Sequence, residues 1–297
     1  LGTMTRLIPV AASLVLLTRV SAVGVSQRWA LPLTITSVVA VLYGGLTWIL
    51  SRHELDGRPY WIFGMSSLSI FGVIQTQGFA SQVWGLALLF SGGVLFLYSA
   101  RSPRLLWLPV LGLIGFSSLP FTPSWHGILA YSSRNLIFSI PFILGLAFLI
   151  LGYIRHMIRP VEIQDDLERW VWLVYPFGLA ILPLTHFWVI FSIGGFSPPE
   201  GGFLSFGWWG AVLVWGTAGL FWVLHQRQPV WTQTIAQRFK STTSLGWLYR
   251  ILWWGYRNIS KFISYLALLL EGQGGVLWAV LIVILLILFI FQRNGGG

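Results

Sequence analysis

The sequence predicts an all-α membrane protein with about nine transmembrane helices and a long amphipathic helix on the cytoplasmic side. Three observations predict this class. Charged residues make up only 9% of the chain, whereas a typical soluble domain carries about 25%. Apolar residues make up 56% and form continuous runs, not the alternating pattern of barrel strands. The 18 Trp residues favour the boundary between lipid and water.

Nine stretches come close to the roughly 20 apolar residues that a helix needs to cross the hydrocarbon layer. They are 7–24, 29–51, 59–78, 82–100, 105–121, 134–153, 170–193, 203–225 and 274–292. The chain then divides into four parts. These are a helical bundle at 1–153, an acidic and basic cytoplasmic loop with two further spans at 154–225, an amphipathic segment at 226–273 and a final span at 274–297.

The basic residues predict the orientation of these spans. When the loops are numbered alternately, one side collects 14 of the 18 Lys and Arg residues, and the other side keeps only Arg19, Arg28, Arg134 and Arg293. Cytoplasmic loops carry the excess of positive charge. We therefore expect a multi-pass protein of a bacterial plasma membrane, with its N-terminus in the cytoplasm and its C-terminus outside.

The segment 226–273 contains an amphipathic pattern. At 100° per residue, Arg250, Arg257 and Lys261 fall within about 20° of one line along a helix of about 25 residues. Apolar residues fill the opposite face: Leu245, Leu248, Leu252, Tyr256, Ile259, Phe262, Ile263 and Leu266. Such a helix either lies on the interface and binds anionic lipid or lies as a strut along a neighbouring subunit. Both interpretations stay open here.

Few titratable residues lie within the predicted spans. His186, in the seventh span, could ligate a chlorophyll or a haem iron, relay protons, or be hydrogen-bonded inside the bundle. His126 is the only other histidine assigned to the outer side, so it is the candidate for a second axial ligand. Arg19, in the first span, could extend to the interface or pair with a carboxylate of another chain. These three residues are the candidate positions of an ion or proton path.

The motif search predicts no catalytic site and no metal site. The chain has no cysteine, which excludes disulfides, thiolate metal sites and thiol nucleophiles. It contains no Walker loop, dinucleotide fingerprint or Gly-x-Ser-x-Gly elbow. We expect no catalytic activity of the chain on its own and no resident cofactor, apart from the chlorophyll or haem considered at His186. The net charge of +10 indicates anionic lipid as a partner, not nucleic acid.

Three stretches are each similar to a known sequence motif, and they occur in the same order as those motifs. Ser66–Gly72 is similar to a Ser-Ser-Ile-Ser-His-Leu-Gly motif, Ala87–Gly93 to a His-x-x-Phe-Lys-Ala-Leu-Leu-Phe element, and Gly115–Trp125 to a Gly-Leu-Pro-Pro-x-x-Gly-Phe turn. In this order they resemble the antiporter-like proton-translocating subunits of respiratory complex I and of multisubunit cation/proton antiporters. The resemblance covers about residues 1–150 and implies the later helices of a longer fold. The amphipathic helix before the last span also resembles the lateral arm of that family.

The chain departs from this family at the charged positions. The family's lysine beside the second motif aligns with Leu86, and its histidine in the first motif aligns with Ile70. Both lysines of the chain, Lys240 and Lys261, lie in the cytoplasmic segment. Proton transfer needs titratable groups within hydrogen-bond or water reach of one another. The resemblance therefore implies a degenerate member that keeps the fold and lacks the relay.

Three functions are consistent with these observations. The favoured one is an accessory, structural subunit of a larger energy-conversion complex, with other membrane subunits as partners. The first alternative is an active proton- or cation-translocating subunit whose relay a partner chain completes. The second alternative is a pigment- or haem-binding subunit that uses His186.

Overall fold

A computed structural model describes residues 2–21, 23–98, 103–130, 136–159, 169–194, 206–227, 246–271 and 279–287. Within these ranges the chain is mostly helical, with a non-helical stretch at 116–124, and no β-strand occurs among them. The predicted all-α class is thereby confirmed. The chain divides into two compact units, Leu1–Pro229 and Val230–Gly297.

The first unit contains eight α-helices and two short 3-10 helices among its described residues. The α-helices are α1 (Gly2–Ser21), α2 (Gln27–Leu50), α3 (Glu54–Ile74), α4 (Gly78–Leu97), α5 (Trp107–Gly115), α6 (Leu136–Ile158), α7 (Arg169–Gly194) and α8 (Phe206–Arg227). The 3-10 helices are Pro103–Leu105 and Trp125–Ala130. In the second unit, α9 covers Gly246–Glu271, and residues 279–287 are also helical.

The expectation of nine spans is too high. Among the described residues, four helical segments are long and apolar enough to cross a membrane: Gln27–Leu50, Gly78–Leu97, Ile137–Ile158 and Val174–Ile193. Leu7–Arg19 and Trp209–Val223 are apolar but shorter. Helix α3 has a full-length backbone, but Glu54, Asp56 and Arg58 occupy its first turns and leave a shorter apolar part. These segments support the coarser prediction of a helical protein that spans a membrane.

The predicted continuous span at 105–121 is wrong. Helix α5 has only 9 residues and ends at Gly115, and regular structure resumes with the 3-10 helix at Trp125. Proline at 120 and 123 cannot donate the backbone hydrogen bonds that a continuous helix needs. Ser118 and Phe121 have φ values of 56° and 61°, in the left-handed region that interrupts a right-handed helix. The apolar composition of this stretch does not indicate the break in the helix.

The first unit packs through close helix contacts at glycines. Helix α2 lies between α3 and α6, while α4 contacts α1, α3, α5 and α7. A Cβ on Gly44 would lie 2.7 Å from the backbone nitrogen of Gly64, and one on Gly45 would lie 2.7 Å from the carbonyl oxygen of Gly145. Backbones that approach this closely are typical of helices packed within membranes, where small residues form the contacts. These contacts set α3 and α6 on two sides of α2.

Candidate functional site

The break after α5 is held by hydroxyl groups. The carbonyl oxygen of Ile114, near the helix end, accepts from Ser117 Oγ at 2.8 Å and from the Ser117 backbone N–H at 3.2 Å. The backbone N–H of Ser118 donates to Ser124 Oγ at 2.8 Å, and Trp215 Nε1 of α8 donates to the carbonyl oxygen of Ser117 at 3.0 Å. Non-helical backbone at membrane depth is tolerated only where protein buries it or where it borders a water-filled cavity. The buried serines therefore make this break part of the interior.

His186 of α7 lies against this break. It is 1% exposed, and the ring of Phe90 stacks beside it at 5.5 Å. A Cβ on Gly115 would lie 2.8 Å from His186 Nδ1 and 3.1 Å from Ser91 Oγ, so only glycine leaves room for the imidazole. Among the described residues, neither His186 Nε2 nor Ser91 Oγ has a hydrogen-bond partner. A buried polar group without a partner costs about 1–3 kcal/mol, and the two residues that carry these atoms, on α7 and α4, both lie beside Gly115.

The other two candidates lie elsewhere. His126 is buried in the 3-10 helix at Trp125–Ala130, and its ring lies 5.0 Å from that of Phe79. Phe79 and Phe90, which contacts His186, are both on α4, about 16 Å apart at 1.5 Å per residue. Arg19 is exposed in the last turn of α1. The described contacts place His186, His126 and Arg19 in three different surroundings.

Toward the C-terminal ends of α2 and α4, the interior contains a cluster of aromatic rings, which we call the ring cluster: Trp48, Trp61, Phe96, Phe116 and Tyr153. Ring centroids are 5.7 Å apart for Trp48 and Trp61, and 4.9 Å apart for Trp61 and Phe116. Tyr153 is fully buried and donates its hydroxyl to the carbonyl oxygen of Ser91 at 3.0 Å. These rings fill the space between α2, α3, α4 and α6 with apolar surface.

Arg58 and Arg155, on the predicted cytoplasmic side, donate hydrogen bonds to backbone carbonyl oxygens at helix C-terminal ends. Arg58 donates to Glu54 Oε1 at 2.6 Å and to the carbonyl oxygen of Phe96 at 3.0 Å, and its guanidinium lies 4.9 Å from the Phe96 ring centroid. Arg155 Nη1 donates to the carbonyl oxygen of Ile49. Cations favour helix C-termini because the last carbonyls carry partial negative charge. The spacing of Glu54 and Arg58 at i and i+4 was the available signal for the first contact.

His156 and Tyr175 complete this end of the bundle. His156 is fully buried, with Nε2 3.1 Å from the carbonyl oxygen of Trp48 and its ring 4.2 Å from the Trp48 ring. Tyr175 of α7 donates its hydroxyl to the carbonyl oxygen of Leu97 at 2.6 Å. The C-terminal ends of α2 and α4 are therefore tied to α3, α6 and α7. The position of His156 near the end of α6 does not by itself indicate this burial.

Acidic groups are scarce in the interior of the described chain. Glu54 is the one carboxylate among the buried described residues, and it lies in the first turn of α3. The described residues contain no group of three or more His, Cys, Asp or Glu side chains that could hold a metal ion. Searches of protein-family models, curated proteins and solved structures found no match to this chain, so the fold and the site must be interpreted from their own geometry.

Proposed function

We propose that the chain is an accessory subunit of a larger membrane complex and that it has an antiporter-like helical bundle without a charged relay. The ring cluster is the observation that carries this proposal. Its rings, among them Trp48, Trp61 and Tyr153, fill the interior toward the C-terminal ends of α2 and α4 with apolar surface, where charge transfer would need water or ionisable groups. Close glycine contacts and side-chain caps at the helix ends suit a rigid body that holds partners in place.

The finer topology belongs to the same proposal. Contacts at Trp48, Phe96 and Leu97 gather the ends of α2 and α4, the start of α3 and α7, and the end of α6 at one end of the first unit. These are the ends that the charge pattern assigns to the cytoplasm. In this topology α1, α3 and α8 cross the membrane with the four longer helices, and α5 crosses together with the break and the following 3-10 helix.

Native purification tests the accessory role. A tagged chain is extracted in mild detergent, and the assembly is measured by native mass spectrometry and cross-linking. The proposal expects other membrane subunits in fixed ratio with the tagged chain. A chain that is isolated alone at native expression, with no cross-links to another membrane protein, would contradict it.

Ion translocation is the second candidate, and the break after α5 favours it. Discontinuous helices are typical of transporter binding sites at the middle of the membrane. Here the discontinuity adjoins His186 and Ser91, whose buried Nε2 and Oγ have no partner among the described residues. Bound water at this place would satisfy both atoms and would provide the first step of a path.

Hydroxyl-radical labelling of the reconstituted protein tests for that water. If water occupies the break, radiolysis modifies His186 despite its burial, while His156 is the matched control because it is equally buried and lies 3.1 Å from a carbonyl oxygen. Modification of neither histidine would remove this candidate. Modification of His186 alone would support it over the accessory role.

The pigment or haem alternative has less support from the packing. Phe90 covers one side of the His186 ring, and Gly115 approaches the other nitrogen so closely that a single methyl group would clash with it. Neither contact reaches Nε2, but His126, the candidate second axial ligand, lies beside Phe79, about 16 Å along α4 from Phe90. A visible absorption spectrum of the purified protein, compared with that of His186→Leu, decides the matter, since a ligated pigment would lose its band in the variant.

A further inference from the structure

The surface of α9 is accessible along its middle. Its described side chains at 250, 253, 254 and 256–265 are all exposed. The exposed residues include large apolar ones, among them Ile259 at 62% and Phe262 at 65% exposed. Surface of this kind is costly in water and requires an apolar environment. Helix α9 lies within the predicted amphipathic segment 226–273.

Charge and hydrophobicity separate on two opposite faces of α9. Arg250, Arg257 and Lys261 form a basic stripe within about 40° on a helical wheel. The apolar face, which includes Ile259 and Phe262, is centred about 170° away from that stripe. Arg257 and Lys261 occupy the middle of the helix, which argues against a transmembrane position, since charges at the centre of a span are costly.

Aromatic residues border the basic stripe on both sides. Trp253 lies on one border, where its ring stacks at 5.6 Å on that of Tyr256 of the apolar face, and Trp254 and Tyr265 lie on the other border. Trp and Tyr favour the headgroup level of a bilayer because each ring has an apolar body and a polar group. A helix lying in the membrane plane places both borders at that level. A strut that contacts one neighbouring protein has no such need on both sides.

The stripe adjoins a shallow groove that is suited to phosphate. Arg257, Lys261, Ser260 and Ser264 contribute cationic and hydroxyl donors to it, and Trp253 forms part of its wall. No acidic side chain lines it among the described residues. Guanidinium and ammonium groups bind phosphate oxygens by charge-assisted hydrogen bonds. The groove therefore complements the headgroups of an anionic lipid.

We infer that α9 lies in the plane of an anionic bilayer surface, with Ile259 and Phe262 toward the acyl chains and Arg257 and Lys261 bound to lipid phosphates. This inference does not depend on the accessory role, because a translocator could be anchored in the same way. The partner is a lipid surface that carries net negative charge. Its affinity comes from apolar burial plus about 1 kcal/mol per cation near the surface.

The absence of cysteine makes the test direct, since a single introduced thiol can be labelled specifically. Ile259→Cys on the apolar face and Ser264→Cys beside the stripe are each labelled with a nitroxide in the full chain. The proteins are placed in nanodiscs of phosphatidylcholine with or without phosphatidylglycerol. The inference expects the Ile259 label to be accessible to oxygen and shielded from a water-soluble nickel complex, and the Ser264 label to show the reverse.

The charge dependence supplies the second half of the test. The double variant Arg257→Gln/Lys261→Gln should shift the ratio of bilayer-bound to unbound α9 by roughly 10- to 30-fold toward the unbound state on anionic discs. Arg104→Gln, an exposed arginine of a 3-10 helix in the first unit, is the matched control and should cause no shift. The inference would be overturned, and the strut favoured, if the two labels were equally accessible to nickel. Binding of α9 that does not depend on the phosphatidylglycerol content would have the same consequence.

Discussion

The imidazole of His186 packs against Gly115, and a Cβ on this glycine would lie 2.8 Å from Nδ1. Helix α7 thereby contacts the last residue of α5 at the point where the crossing is interrupted. The contact needs a residue without a side chain on α5, because the ring has no space to withdraw between Phe90 and Ser91. This relationship makes Gly115 a sensitive position for the packing of the break.

Gly115→Ala should therefore destabilise the protein by about 1–3 kcal/mol, the usual cost of inserting a methyl group into a packed interior. The measurement is unfolding in mixed micelles with increasing denaturing detergent. Gly178→Ala is the matched control on α7, because a Cβ there meets nothing within 4 Å. The control should be neutral or stabilising by up to about 1 kcal/mol, since Ala favours a helix over Gly. Equal effects of the two substitutions would contradict the packing.

Arg58 should be more important to stability than its neighbour Arg52. Arg58→Met removes the hydrogen bonds to Glu54 and to the Phe96 carbonyl, and it leaves a buried carboxylate without its cation. Breaking such a pair costs about 3–5 kcal/mol in a fully buried site, and the lower end applies here because Arg58 is partly exposed. Arg52→Met, at an exposed position, should change stability by less than about 0.5 kcal/mol.

The double variant Glu54→Gln/Arg58→Met separates the two parts of this effect. Removing the carboxylate charge should restore part of the stability lost in Arg58→Met, because no unpaired ion then remains. The same unfolding measurement gives the coupling through a double-mutant cycle. Strictly additive losses would show that the ion pair does not stabilise this end of α3.

Tyr153 ties α6 to α4 through one hydroxyl group. Tyr153→Phe keeps the ring in the ring cluster but leaves the buried carbonyl of Ser91 without this donor, so we expect a loss of about 1–3 kcal/mol. Tyr265→Phe, at a side chain that is 73% exposed on α9, should have no measurable effect. A Tyr153→Phe protein as stable as the parent would mean that the hydrogen bond contributes nothing.

Ser91 provides a test of whether the break is dry. Its Oγ has no partner among the described residues, so Ser91→Ala should be neutral or slightly stabilising if no water is bound there. A loss of more than about 1 kcal/mol would instead indicate a bound water whose hydrogen bond the hydroxyl supplies. The second result would favour the translocation candidate.

The sequence predicted the helices well where they are continuous. The expected spans 29–51 and 170–193 match α2 and α7 to within two residues at each end, because uninterrupted apolar runs are the strongest signal of such helices. It failed at 105–121, where composition alone suggested a span although Pro120 and Pro123 stop the helix. Local hydrogen bonds from serines decide the path of that segment, and hydropathy does not detect them.

The candidate site was predictable only in part. His186 stood out because a histidine within a span is rare. Its neighbours Ser91 and Gly115 come from other helices, so only the tertiary packing brings them together. The burial of His156 against Trp48 likewise depends on the approach of α6 to α2, which no local pattern of the sequence indicates.

Proton flux in proteoliposomes tests the central claim most directly. Purified chain is reconstituted in vesicles loaded with a pH-sensitive dye, a pH gradient is imposed, and a potassium–valinomycin clamp removes any opposing potential. The accessory role predicts a decay no faster than that of empty vesicles, and the same rate for His186→Phe. A faster decay that His186→Phe abolishes would contradict it and would assign the chain an ion path through the break after α5.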